Sequence, residues 1–366
     1  MIDLDIDAFS STYALAREKF LQAAREAGLP VEQRLHPFRG PRGEDLAMDV
    51  VRDGPLDAKA LLIVTSGCHG IEGFSGSAVQ VAALRDANWR GFVHVRGVAV
   101  LYVHALNPWG FAHLRATTHE NVFLDRNFID FSAKLPANDA YRHLHPLLLP
   151  ANWPPTAENQ AAVQAWIASH GERDFLAAVT QGQYDFPDGL FYGGTAPSWS
   201  NRNWRRVLRQ HARDAARLAW VDLHAGQGLD GVGDRVYAGP DDPAALARAR
   251  RWWSGGGRTP VTCGHDGTAP APHRHGLLWT TVREECRFCE YTGVALHPAT
   301  VPVMELLDAL RGDHWLHRNP DAPPAVADAV RQAMRDAFHP EASAWKLRVL
   351  EQAGQALQQA VEGLSA

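Results

Sequence analysis

Long apolar runs are missing from this chain. No stretch of its 366 residues approaches the ~20 uncharged apolar positions that a membrane-crossing helix needs. A cationic excess is missing too. With 36 Lys and Arg against 41 Asp and Glu, the formal net charge is −5, which argues against nucleic acid and anionic membrane surfaces as partners. The arginines that do cluster, Arg202, Arg205 and Arg206, read as a solvated helix face. Cysteine is sparse, and four in a chain of this size make no disulfide framework. Cys286 and Cys289 have the spacing of a redox or zinc motif, but Cys68 and Cys263 form no second pair to complete it. The Cys286–Cys289 run reads as β-like, with alternate residues on opposite faces. A basic and then apolar leader is also lacking, because the chain starts Met-Ile-Asp-Leu-Asp-Ile-Asp. A cytoplasmic location is the default expectation.

What is present is the composition of a globular protein, 46% hydrophobic and 21% charged. The length suits one large α/β domain or two ordinary ones. Twelve tryptophans suggest a large core and an aromatic-lined cleft. Of the 18 histidines, only those placed by a motif deserve a role.

Helical spacing runs from Phe9 to about Ala27 and stops at Gly28-Leu29-Pro30. A Gly/Pro/Arg-rich link follows through Gly43. Short apolar runs at Ala58–Ser66, Val95–His104 and Ala219–Leu223 read as buried strands. Helices are expected near Ser75–Asp86, Glu158–His170, Asn201–Ala216, Pro243–Trp253 and Val301–Leu310, with a long Ala/Gln-rich one near Glu341–Glu362. Strands alternating with helices predict a largely parallel sheet covered on both faces. The Pro-rich stretches Leu149–Pro155 and Pro320–Pro324 read as surface loops. The chain is therefore expected to form one domain over 1–320, with a C-terminal helical appendage, 321–366, packed on it.

The strongest local signal is Ser66-Gly67-Cys68-His69-Gly70-Ile71-Glu72-Gly73, where a buried strand gives way to a helix, the usual place for a site in an open α/β sheet. His and Glu three residues apart in a tight turn can both face one ion, and zinc accepts imidazole nitrogen and carboxylate oxygen. A second apolar strand ends on a histidine in Trp220-Val221-Asp222-Leu223-His224-Ala225-Gly226. Two histidines and a carboxylate at strand ends make a three-ligand open site with room for water or substrate. Asp222, two residues from His224 on the same strand, shares its face and could hold the imidazole. Between the two motifs lie Asn107-Pro108-Trp109-Gly110, then Arg115, then Phe123-Leu124-Asp125-Arg126-Asn127. Arginines near a metal can polarise a carbonyl or clamp a carboxylate, though ordinary loop roles remain open for them. Glu290, inside the β-prone run Phe288–Gly293, is either paired structurally or poised as a base, since an unpartnered buried carboxylate is costly.

In this order, His-x-x-Glu, Asn-Pro-x-Gly, the Arg126-Asn127-Phe128 step, the strand-end His224 and the late Glu290 resemble the zinc carboxypeptidase superfamily. The superfamily includes carboxypeptidase A-like and succinylglutamate desuccinylase/aspartoacylase-like enzymes. The likeness extends from about Phe9 to Trp315 and is strongest to a bacterial branch of unassigned function. Motifs of that branch are visible in Gly-Leu-Phe-Tyr-Gly-Gly-Thr-Ala-Pro-Ser-Trp-Ser-Asn and in Glu-Tyr-Thr-Gly. The resemblance implies a three-layer α/β/α fold with a mixed, mostly parallel eight-stranded sheet and one Zn²⁺ per chain. It implies His69, Glu72 and His224 as metal ligands, Glu290 as general base and Arg115 at the oxyanion. Arg126 matches the arginine that grips a substrate's terminal carboxylate, with Asp125 and Asn127 beside it; Tyr237 is a candidate for the family's phenolic tyrosine. Two departures stand out: Asp125 where the family has Asn, and Phe123 where it has Asp. An aspartate there would repel a carboxylate or neutralise Arg126. The implied activity is hydrolysis of an amide or peptide bond in a small peptide or acyl-amino acid. An N-acyl amino acid deacylase of the aspartoacylase type and a non-catalytic zinc-binding protein are the alternatives. Nothing in the sequence excludes a homo-oligomer.

Overall fold

The computed structural model describes residues 2–226, 233–254, 260–269 and 274–366. Eight strands form one sheet: β1 (Val31–Arg39), β2 (Asp45–Asp53), β3 (Ala60–Ser66), β4 (Val98–His104), β5 (Arg217–Leu223), β6 (Asp234–Tyr237), β7 (Val261–Thr262) and β8 (Glu290–His297). Their spatial order is β1-β2-β4-β3-β5-β8-β6-β7. The central strands β4, β3, β5 and β8 run parallel, while β1, β2 and β6 join by antiparallel pairing. The fold is thus α/β with a mixed eight-stranded sheet.

The parallel centre follows from composition. Every residue of Ala60–Ser66 and of Val98–His104 is buried, as expected where helices cover both faces and no polar alternation is needed. Leu62, Val64, Ala219, Val221, Val294 and Leu296 point to one side, into a core shared with the helices Gly73–Arg85, Pro243–Trp253 and Ser343–Ser365. Leu61, Ile63, Leu101, Leu218, Trp220 and Tyr291 point to the other, against the helices Trp199–His211 and Thr280–Glu285. The helix Gly73–Arg85 is buried along almost its whole length. It lies very close to the sheet: a Cβ at Gly76 would stand 2.6 Å from that of Ser66.

The segment read as a link is largely structured. Val31–Arg39 and Asp45–Asp53 form an antiparallel pair at the sheet edge. Pro37 falls where the register shifts between Leu35 and Arg39, as expected of a residue with no N–H to give to a ladder. Another correction concerns Cys286 and Cys289, which lie in a turn after the helix Thr280–Glu285, the Cys289 N–H donating to the Cys286 carbonyl at 3.2 Å. Residues of the helices Pro324–Phe338 and Ser343–Ser365 share cores with the rest of the chain. Leu350, Ala356, Leu357 and Leu364 of the second are fully buried in the first core described above. No helix among the described residues is long and apolar enough to cross a membrane.

Candidate metal centre and its cavity

Chain geometry at the end of β3 sets up the first half of the site. Gly67 (φ +65°) turns the chain out of the strand, and Gly70 (φ +44°) lets a single 3-10 turn, Gly70–Glu72, form against the Arg115 carbonyl. A Cβ at Gly70 would stand 2.1 Å from that carbonyl oxygen, so only glycine fits. The turn brings His69 Nδ1 to 3.0 Å from Glu72 Oε2. From the end of β5, His224 Nδ1 reaches the same oxygen at 2.9 Å and stands 3.3 Å from His69 Nδ1. All three side chains are buried, and among the described residues they are the one set of His, Cys, Asp and Glu whose donor atoms converge as metal ligands would.

The surroundings fix how these groups are presented. Asp222 Oδ2 lies 2.8 Å from His224 Nε2, and its Oδ1 accepts from the Thr65 hydroxyl, which in turn accepts from Trp220 Nε1 at 2.7 Å. With Nε2–H donating to Asp222, the lone pair of His224 sits on Nδ1, facing His69 and Glu72. Burial alone would raise the Glu72 carboxyl, yet His69 and His224 hold it well below the usual carboxylate range. Burial alone would lower the His224 imidazole, but Asp222 and Glu72 raise it far above its usual value. Two carboxylates around two imidazoles therefore favour a positive charge, which a proton or a metal ion can supply. Two nitrogens and a carboxylate oxygen on one point also form a donor set that zinc accepts. The residues present fit the ion.

The three groups open on a cavity of about 220 Å³. Its wall is mostly apolar, with Phe123, Phe191, Trp279, Leu306, Leu310 and Phe338 prominent. Phe123 stacks on His69 with ring centres 4.2 Å apart. The wall also carries Asp125, Arg126, Asp234, Tyr237, His265, Arg274 and His297.

Glu290 is not among them, which overturns its assignment as base. It pairs with Arg217 at the first rung of the β5–β8 ladder, whereas Leu223, next to His224, pairs with Leu296. Six residues of strand, about 20 Å, separate the two ends. The Glu290 side chain is half exposed and bonds to Arg248 at 3.2 Å. What occupies the site end of β8 is His297, which the sequence reading missed. Its ring stacks on His224 with centres 4.6 Å apart, and a Cβ at Gly226 would collide with its Cβ at 2.4 Å. Burial, and then the neighbouring His224, push the His297 imidazole far below its usual value, so it is neutral. A signal existed: Val294-Ala295-Leu296-His297-Pro298 is an apolar strand ending on histidine, the same pattern that marks His224.

Of the residues assigned to the oxyanion and to substrate, Arg126 and Asp125 line the cavity and Arg115 and Asn127 do not. Arg115 turns away from the cavity, its Nε bonded to both carboxylate oxygens of Asp313 at 3.0 and 3.1 Å and its Nη2 to Asn121. Asn127 is a buried strut that donates to the Gly193 and Ala196 carbonyls and accepts from the Ser198 N–H. Arg126 does border the cavity, with every nitrogen engaged: Nε and Nη2 donate to the Thr180 carbonyl at 2.9 and 2.6 Å, and Nη1 donates to the Asp125 carbonyl and carboxylate. Asp125 both pairs with Arg126 and caps a loop, accepting from the Leu278 N–H at 2.7 Å. Tyr237 reaches the cavity wall with its hydroxyl buried and unpartnered among the described residues.

A family model described as a protein of unknown function, DUF2817, matches residues 9–352. No curated protein matches the sequence. Among solved structures, the chain is similar to a metallo-carboxypeptidase from Pseudomonas aeruginosa, at 15% identity and a TM-score of 0.43, over 95% of this chain and 69% of that one. It is similar to bovine thrombin-activatable fibrinolysis inhibitor at 13% identity and a TM-score of 0.45, over 91% and 97% of the two chains. It is also similar to a glutaminyl cyclase from Porphyromonas gingivalis, at 10% identity and a TM-score of 0.39, over 96% and 98%.

Proposed function

We propose that this chain, which belongs to the DUF2817 family of proteins of unknown function, is a zinc-dependent hydrolase of amide bonds in a small peptide or acyl-amino acid. The observation that carries the reading is the approach of one Glu72 oxygen to within 3.0 Å of both His69 Nδ1 and His224 Nδ1 at the wall of a cavity. Three protein ligands leave a further position for water or substrate, as catalytic rather than structural zinc sites do. Bound there, zinc would supply Lewis acidity, lowering the pKa of water and polarising a carbonyl.

The chain's own groups supply the rest. His297 stands where a base is needed, and its neutral imidazole can accept the proton of the attacking water at a ring nitrogen and return it to the leaving amine. Asp234 is opposite His297 in the β6–β8 ladder, and opposite residues of an antiparallel pair share a face. Its carboxylate would steady the imidazolium that proton transfer creates. Phe123, Leu310 and Phe338 exclude bulk water from the cavity wall.

One observation favours a second reading. The carboxylate expected to serve as base lies at the far end of β8, so the same three ligands could serve a zinc-binding protein that does not turn over. A panel of dipeptides and N-acyl amino acids, offered to zinc-loaded protein, separates the two. Hydrolysis that falls about 10²–10⁴-fold in His297→Asn, with zinc retained, supports the catalytic reading. No hydrolysis across the panel by zinc-replete wild type supports the other.

A further inference from the structure

The cavity holds two guanidinium groups in different situations. Arg126 spends every nitrogen on backbone carbonyls and Asp125. Glycine at 182 and 276 lets the surrounding chain close over it: a Cβ at Gly182 would lie 2.7 Å from its Cδ, and one at Gly276 2.2 Å from its carbonyl oxygen. This arginine is built into the fold. Arg274 also lines the cavity but has no hydrogen-bond or ion-pair partner among the described residues, and its Nε is buried without one. Burial first, and then the nearby Arg126, hold its proton affinity down to a pKa of about 10, so it stays charged at neutral pH. A buried, charged donor left unpaired is costly, and such a group is the natural counterpart of an anion brought in by a ligand.

We infer that Arg274, rather than Arg126, is the residue that receives a carboxylate group of the substrate. The inference rests on the reading of this cavity as a substrate site. A guanidinium with no partner among the described residues presents its N–H groups in a planar fork that matches a carboxylate with two parallel hydrogen bonds. The neighbouring charges choose among anions. Asp125 and Glu72 are both felt at Arg274, and two carboxylates facing the same space oppose a phosphate dianion more than a monoanion. The rest of the wall is mostly apolar.

The test is binding, so it does not depend on turnover or on zinc. Full-length protein without added metal is titrated with hexanoate, hexanamide and hexyl phosphate, followed by calorimetry and by tryptophan fluorescence, since Trp220 and Trp279 line the cavity. Hexanoate is expected to bind roughly 10- to 100-fold more tightly than hexanamide, the range for a charged hydrogen bond in a buried setting. Arg274→Gln should abolish that preference and keep the thermal midpoint, and Arg274→Lys should restore part of it. Arg126→Gln should instead lower the thermal midpoint. The inference is overturned by a wild type that does not prefer hexanoate, or by hexyl phosphate binding more tightly. It is equally overturned by a preference that survives in Arg274→Gln, as it would if the anion settled on His69 and His224. Failure of the hydrolase reading would show in zinc content and turnover, leaving these affinities unaffected.

Discussion

The Asp222 carboxylate lies 2.8 Å from His224 Nε2, and this contact decides which nitrogen of the ring faces Glu72 and His69. Without it, either tautomer is available and some of the rings would present an N–H where a metal needs a lone pair. Asp222→Asn should therefore weaken zinc binding by about 10- to 100-fold without removing a ligand. Competition with a chromophoric chelator measures this, and an affinity equal to wild type would mean that the contact does not orient the ring.

Gly226 makes room for His297. A side chain there would meet the His297 Cβ at 2.4 Å, closer than any real contact, while the Gly226 backbone is bonded to Pro298 and Thr300. Gly226→Ala should cost about 1–3 kcal/mol of stability as an overpacked site and displace His297. Zinc stoichiometry should hold while hydrolysis falls. Full activity in this variant would show that the position of His297 is unimportant.

Glu290→Gln is expected to leave zinc content and turnover as they are, because the residue is exposed and distant. Surface substitutions of this kind usually fall within about 0.5 kcal/mol. A loss of hydrolysis comparable to that of a missing base would place Glu290 back in the mechanism.

That reversal shows where the sequence was readable. The buried parallel strands were legible because a strand covered on both faces must be apolar throughout, and the ends of Ala60–Ser66 and Arg217–Leu223 marked themselves by breaking into glycine-flanked histidines. For Glu290 the sequence offered a carboxylate in a β-prone run but not its height on the strand, and height separates the exposed Glu290 from the half-buried His297 at the site end. Arg115 was illegible for a different reason: its partner, Asp313, is 198 residues away, and no local pattern announces so distant a pairing. The edge strand Val31–Arg39 was hidden by the polar, proline-containing composition that protects a sheet edge.

Acid sensitivity should come from histidines held neutral inside the protein. Burial lowers His104 to about 3 and, with the same sign, His314 to about 3 and His339 to about 4. Each binds a proton more readily when unfolded, near pH 6.5. Stability is therefore unaffected above that pH and falls as pH drops below it toward the folded values. Between pH 7 and pH 5, His104 alone should account for roughly 2 kcal/mol. Urea unfolding at the two pH values should show a loss smaller by about that amount in His104→Gln. An equal pH-dependent loss in both proteins would mean that His104 does not titrate on unfolding.

The central claim is that His69, Glu72 and His224 hold one zinc ion. Elemental analysis of purified wild type and His224→Ala, each dialysed against the same trace zinc, tests it most directly. One equivalent per chain in the wild type and little in the variant is the predicted result. Zinc undiminished in His224→Ala, or absent from a folded wild type, would contradict it.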